Sequence, residues 1–295
     1  MKAALCFIIS YKHILNKEEI WRKWIEPNAD IINVYFHYKN INLIRSKWIR
    51  QYCIPENIVQ PTSYYDVVPA YMAIMNFAYG HDEDNKWFCL LTDSCVPIIS
   101  PSEFRSMFFK YANKSIFNWK PSYWNIELHR RANLRYFDKS FHLANDPWFI
   151  LTRKHVLACN IFLQKQKNSY SLICSGDLAN ESIFAIMLKC ANQLDSVIKE
   201  TSTITDWSRM PNPTSPHMFI AGDTDDVLII ERLLIDNPYS IFLRKVSPNF
   251  PNEIIYSFWE KNIRVVDPIP WDFYLKLIFV IFLSYCGINV FLHAN

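Results

Sequence analysis

The chain has 295 residues, 51% of them apolar, with 31 Lys and Arg against 28 Asp and Glu for a net charge of +3. That length and apolar content support one large domain, or two small ones, around a sizeable core. The near-balanced charge excludes a general nucleic-acid binder, which needs a face saturated with cations.

The apolar run 3–9 is too short for a signal peptide, lacks a small-residue cleavage site and gives way to Ser10-Tyr11-Lys12-His13, so it reads as a buried first strand. Residues 18–24 predict a short helix, and 31–37, rich in β-branched and aromatic side chains, a second strand. Val68, Tyr71, Met75 and Ala78 recur at helical spacing within 67–78; 86–92 reads as another buried strand and 102–111 as another helix. This βαβα alternation predicts a mostly parallel sheet with helices on both faces. Residues 112–147 are polar, aromatic and weakly periodic, as a long functional loop or subdomain would be. A strand at 148–152 and a helix at 155–163 follow, and Asn180 reads as the N-cap of a helix carrying Ile183, Met187, Cys190 and Leu194 on one face. The three prolines of 209–216 mark a loop, 223–235 a helix with an acidic first turn, 240–246 a strand, and Asn252 the cap of a last amphipathic helix to about Lys261. The organisation is one domain, 1–265, and a hydrophobic tail, 266–295. Between Leu275 and Leu292 the tail has one charge, Lys276, and lies near the lower length limit for a membrane span; a buried C-terminal helix is the other reading.

The four glycines, Gly80, Gly176, Gly222 and Gly287, are far apart, so neither a P-loop nor a GxGxxG dinucleotide fingerprint exists. The eight cysteines form no CxxC pair, which excludes a zinc ribbon or thioredoxin-like motif and points to a reducing compartment without a disulfide framework. The eight histidines show no metal-ligand spacing. Asp82-Glu83-Asp84 spells the DxD of many sugar transferases, but it precedes the strand at 86–92, whereas a metal-binding DxD follows its strand, where the ligand crevice opens. That place holds Thr92-Asp93-Ser94, with a single carboxylate. Asp223-Thr224-Asp225 opens a helix and reads as capping.

Six stretches, in order, resemble the core-2/I-branching β-1,6-N-acetylglucosaminyltransferase family, especially its divergent plant-type branch. The opening strand-helix-strand (4–37) is similar to the family's first nucleotide-binding unit. The run 90–98, LLTDSCVPI, resembles the family's "LLSESCIPL", and 145–155, NDPWFILTRKH, its "GSQWFxLxRxHA". Asn180-Glu181-Ser182-Ile183-Phe184 occupies the place of "DEHxxxT", Thr205-Asp206-Trp207-Ser208 that of "VDWS", and 241–248, IFLRKVSP, that of "FLFARKFSP". The resemblance spans roughly 1–260. It implies a GT-A-like three-layer α/β sandwich with a mostly parallel central sheet. It further implies inverting transfer of a sugar, N-acetylglucosamine first among the candidates, from a UDP-sugar to a glycan hydroxyl, with no metal or other cofactor.

Such a transfer needs a base for the acceptor hydroxyl, positive charge on the departing diphosphate, and a pocket aligning both sugars. The resemblance makes Glu181 the base, in the first turn of its helix where the macrodipole favours the ionised form; a helix-start carboxylate without chemistry is the alternative. The flanking Asp and His of the family are Asn180 and Ser182 here. Lys245 matches the basic residue on the UDP phosphates, against the alternative of a solvated charge; Arg244 stands beside it, and strand alternation points it the other way. The family's second phosphate-binding Arg has no clear match, with Arg209 and Arg232 as substitutes. Trp207 resembles an acceptor-stacking aromatic, Trp148 is a core residue or a sugar contact, and Asp206 is structural. Asp93 and Ser94 fall near the donor, and Tyr65 and Asp66 are weaker candidates for the nucleotide pocket. A degenerate member that binds nucleotide-sugar or glycan without transfer is the alternative function, and a membrane-anchored structural protein a third.

Overall fold

The computed structural model describes residues 1–63 and 65–261. In chain order the first half contains β1 (Lys2–Ile8), α1 (Glu18–Ile25), β2 (Ile32–His37), α2 (Lys47–Gln51), α3 (Val68–His81), β3 (Asn85–Thr92), β4 (Val96–Pro97) and α4 (Pro101–Tyr111). There follow β5 (Trp119–Pro121), β6 (Leu143–Asn145), β7 (Ile150–Thr152), α5 (Arg153–Lys165), α6 (Lys167–Cys174) and α7 (Ile183–Cys190). The last elements are β8 (Thr203–Thr205), α8 (Thr224–Asp236), β9 (Phe242–Arg244) and α9 (Asn252–Glu260).

The main sheet has the order β2-β1-β3-β7, with β1 parallel to both neighbours and β7 antiparallel on β3. Its central strands are apolar over Ala3–Ile8 and Trp87–Leu91 because both faces are covered. Tyr35 and Phe36, being adjacent, point to opposite faces. Tyr35 meets Phe77 of α3 at 5.7 Å, while Phe36 stacks at 5.0 Å on Phe7, which meets Trp21 of α1 at 4.8 Å. Helices α1 and α3 therefore cover opposite faces, as the βαβα pattern predicts.

A second sheet, β4-β9-β8, stands beyond the carboxyl ends of the first, with β9 antiparallel to β4 and parallel to β8. Trp21 joins the two: its ring also lies 5.6 Å from Phe242 of β9, and its indole N–H donates to the Cys95 carbonyl at 3.0 Å. Buried Lys17 extends the connection, its ammonium donating to the carbonyls of Pro248 and Phe250 and to Asn252 Oδ1. Asn252 thus lies inside α9 and is held by Lys17, instead of capping that helix. The expected strand at 148–152 shortens to β7 and runs antiparallel; that at 240–246 shortens to β9. The stretch 112–147 holds the small antiparallel pair β5-β6. Helix α6 went unpredicted because Ile173 alone of its residues is buried, leaving no periodic apolar face.

No helix among the described residues is long and apolar enough to cross a membrane. The tail 266–295, with the candidate membrane segment 275–292, lies outside the described residues, as does the expected boundary at 265.

Candidate active site

The loop 92–95, which links β3 to β4, is tied on both sides: the Asp93 carbonyl accepts from Asn16 N–H at 2.9 Å and the Ser94 carbonyl from Val246 N–H at 2.9 Å. The end of β9 stands across from it. Arg244 donates to Ser94 Oγ at 2.6 Å and to Thr92 Oγ1, and its guanidinium lies 4.3 Å from the centre of the Trp148 ring. Arg244 Nε is buried without a partner. Lys245 follows beyond the strand, so alternation no longer governs its direction. Its half-buried ammonium approaches Ser215 Oγ at 3.5 Å. Burial and the Arg244 charge pull its pKa down while Asp93 opposes them, so Lys245, Arg244 and Asp93 share one electrostatic neighbourhood. The separation of Arg244 from Lys245 expected from alternation is corrected: both basic groups attend the carboxyl end of β3. Trp148 is neither plain core nor free surface; it is the apolar platform under Arg244.

Glu181 lies on a separate turn. Asn180 does not cap a helix: Ala179–Glu181 form a 3-10 turn entered through Leu178 at φ 49°, and α7 begins only at Ile183. The physical reason is Asn145. Its side chain donates to the Asn180 carbonyl at 2.9 Å and accepts from Ala185 N–H at 3.2 Å, groups that a continuous helix would engage in its own i to i−4 ladder. The carboxylate is three-quarters covered and pairs with Arg131, Nη1 to Oε2 3.2 Å. Burial pushes the Glu181 pKa up, Arg131 opposes, and Asp146 adds to the rise. This reverses the expectation of a carboxyl kept acidic by the helix dipole. A carboxyl whose pKa is raised by burial and opposed by one arginine is suited to accepting a proton.

The segment 145–149 connects the two sides. Asn145 holds the turn of Glu181, Trp148 carries Arg244, and Phe149 meets Phe184 of α7 at 4.7 Å. Tyr71 of α3, 5% exposed, stacks on Phe184 at 6.3 Å. Burial raises its phenol, with Arg244 lowering and Glu181 raising it further, so Tyr71 lies within electrostatic reach of both sides.

Trp207 is 47% exposed, two residues beyond Thr205, which pairs with Arg244 across β8-β9. Asp206 is structural: it binds Ser208 and Arg209, and Arg209 also reaches Asp226 at 2.9 Å. Arg209 is thereby committed to the fold, and Arg232 is exposed on α8. Asp66 precedes α3. It lies by α6, close enough to add to the mainly burial-driven rise of Tyr170 and Cys174. Tyr65 is half-exposed beside it. Asp82 is engaged by Lys2 at 2.9 Å and Asn33 at 2.8 Å at the amino ends of β1 and β3, the opposite end of the sheet. Among the described residues no three His, Cys, Asp or Glu side chains converge as a metal ion would require.

Arg131, Asp146, Asn145 and Tyr71 escaped the sequence reading. Asn145 and Asp146 stand within the segment singled out for its resemblance, and Arg131 within a stretch marked as a functional loop. Arg131 and Asn145 depend on contacts 50 and 35 residues away along the chain, and Tyr71 on contacts more distant still.

Arg244 and Lys245 attend the carboxyl end of β3, and Glu181 lies within electrostatic reach of the same Tyr71 as Arg244, in an α/β fold whose ligand crevices open at strand ends. The family model described as "Core-2/I-Branching enzyme" matches residues 5–228, well over half of the chain. The chain belongs to that family and is a glycosyltransferase, acting between a nucleotide-sugar donor and a glycan acceptor. A comparison with curated proteins finds no match.

Proposed function

We propose that the protein is a metal-independent, inverting transferase of GT-A-like three-layer architecture that moves a sugar, N-acetylglucosamine first among the candidates, from UDP to a glycan hydroxyl. Supporting the reading above all is the convergence of Glu181 with Arg244 and Lys245 through one five-residue segment, 145–149. Glu181 takes the proton of the acceptor hydroxyl as its oxygen attacks the anomeric carbon from the face opposite the diphosphate. The bond between that carbon and the phosphate oxygen breaks, and the electron pair leaves with UDP, where Lys245 and Arg244 meet the charge. Thr92 and Ser94 hold the Arg244 guanidinium in place before substrate arrives, and Trp207 offers its exposed face to the acceptor ring. The seven free cysteines among the described residues agree with work in a reducing compartment.

The test is UDP release from UDP-sugars with and without glycan acceptors, repeated in EDTA. Glu181→Gln keeps the shape and removes the base, so kcat should fall about 10²–10⁴-fold with UDP affinity retained. Transfer at the wild-type rate by this variant, or loss of wild-type activity in EDTA, would overturn the reading.

A further inference from the structure

Beside Glu181, on the other face of the backbone that carries Arg131, lies a cavity of about 460 Å³ lined by Arg130, Asn133, Arg135, Tyr136, Leu172 and Ser175. That is within the range of about 300–1,000 Å³ typical of ligand pockets. Residues 130–132 are bound to Asp177 in a short parallel bridge, Ala132 N–H to the Asp177 carbonyl 2.8 Å and Asp177 N–H to the Arg130 carbonyl 3.0 Å. The bridge is one residue long and runs into a turn, Asn133 N–H donating to the Arg130 carbonyl at 3.1 Å; Arg131 turns to Glu181 while Arg130 lines the cavity.

The cavity is open, with Arg130, Arg135, Tyr136, Leu172 and Ser175 exposed around buried Asn133. Buried Asn133 fixes its floor, donating to the Leu172 carbonyl at 2.8 Å and to Ser175 Oγ at 3.0 Å. A Cβ on Gly176 would stand 2.5 Å from Asn133 N, so the two strands of its wall meet as closely as backbone allows. Arg135 is stacked on Tyr136, 4.7 Å from the ring centre, and donates to its hydroxyl at 2.8 Å. Yet neither Arg130 nor Arg135 has a carboxylate partner among the described residues. Asp177 binds this segment through its backbone alone, and Asp138 is turned to Ser140 N–H at 2.8 Å. Two unneutralised guanidiniums, a polar floor and an aromatic and aliphatic wall are complementary to a sugar carrying an oxyanion.

We propose that this pocket binds a carboxylate or sulfate ester borne by the acceptor glycan, so that the preferred acceptors are anionic saccharides. The inference rests on the transferase reading for the word acceptor, and on the pocket alone for the binding. An acceptor held there extends along the 130–132 segment toward Glu181, with its charged residue outside the reacting centre.

The experiment is a ligand-observed NMR titration of the full chain with a glucuronate-containing disaccharide, a sulfated disaccharide, their neutral counterparts and inorganic sulfate. The charged saccharides should bind at least about tenfold more tightly than the neutral ones, with the difference shrinking as salt rises. Arg130→Gln with Arg135→Gln should abolish the difference, and Arg130→Lys with Arg135→Lys should restore part of it. Equal affinity for charged and neutral sugars, or a preference that survives the glutamine variant, overturns the proposal. Inorganic sulfate binding as tightly as the saccharides also overturns it, leaving a free-anion site. Titration needs no turnover, so the two readings fail separately. Charge preference without UDP-sugar breakdown removes the transferase and leaves the pocket, and turnover without charge preference does the reverse.

Discussion

The two sides of the candidate site are built in different ways. The diphosphate side consists of strand ends: Arg244 closes β9, Thr92 closes β3, and Trp21 with Lys17 fastens both to the first βαβ unit. The base side consists of turns. Glu181 hangs on a 3-10 turn, and three of the five left-handed non-glycine residues among the described residues, Ala132, Asn133 and Leu178, lie around it. Each such residue costs about 1–2 kcal/mol, held here by the close contacts of Gly176 and the side chain of Asn145. Arg244, one of the cations proposed to meet the leaving group, is therefore held by the core, whereas Glu181, the proposed base, is positioned by a few polar contacts that can vary without disturbing that core.

Breaking the first side should have the largest effect. Trp21→Ala removes a fully buried side chain that joins the two sheets, and should lower stability by about 3–5 kcal/mol. Thermal unfolding with and without UDP checks it: stability and UDP affinity should fall together, and retention of UDP affinity would separate the second sheet from the donor site. Lys245→Met leaves the framework and removes one charge. Loss of one preorganised group of this kind typically costs about 10²–10³-fold, so kcat/KM should fall by that factor while the unfolding temperature holds.

The base side should break without the donor side. Asn145→Ala strands the Asn180 carbonyl and the Ala185 N–H, a loss of about 1–3 kcal/mol. Single-turnover rates should drop with UDP-sugar affinity kept. Equal losses in both would show that segment 145–149 acts as one unit, which would undo the contrast drawn above.

The same difference explains what the sequence made legible. On the proposed diphosphate side, apolar runs mark the buried strands, and Asp93 and Ser94 were singled out from the end of one; Lys245, with Arg244 beside it, came through the resemblance. Even there, Arg244 was misdirected, since alternation stops where β9 stops. The base side was readable only at Glu181, and only through resemblance. Its local form was misread because Asn180 is a good N-cap by type, and nothing nearby in sequence reveals that Asn145 captures its carbonyl.

The smallest effect is also the sharpest comparison within the base side, because two neighbours pull Glu181 in opposite directions. Transfer needs the carboxylate, so the acid limb of the pH-rate profile follows the folded-state pKa of Glu181, with activity rising as pH passes through it. Burial has already raised that pKa above its unfolded value, Arg131 lowers it, and Asp146 raises it. Arg131→Ala should therefore move the limb to higher pH, and Asp146→Asn to lower pH. Asp146 is itself raised by burial, and held against that by Asn118 and Thr201, so it too ionises late and its influence grows as pH rises. Tyr71, raised out of the working range, supplies no charge of its own. Profiles of kcat for the two variants, measured under saturating donor, distinguish tuning from mere positioning. Opposite displacements identify Arg131 and Asp146 as electrostatic regulators of one base. A uniform fall in rate with an unmoved limb would mean that Arg131 only orients the carboxylate, and that the base sensed by the profile is not Glu181.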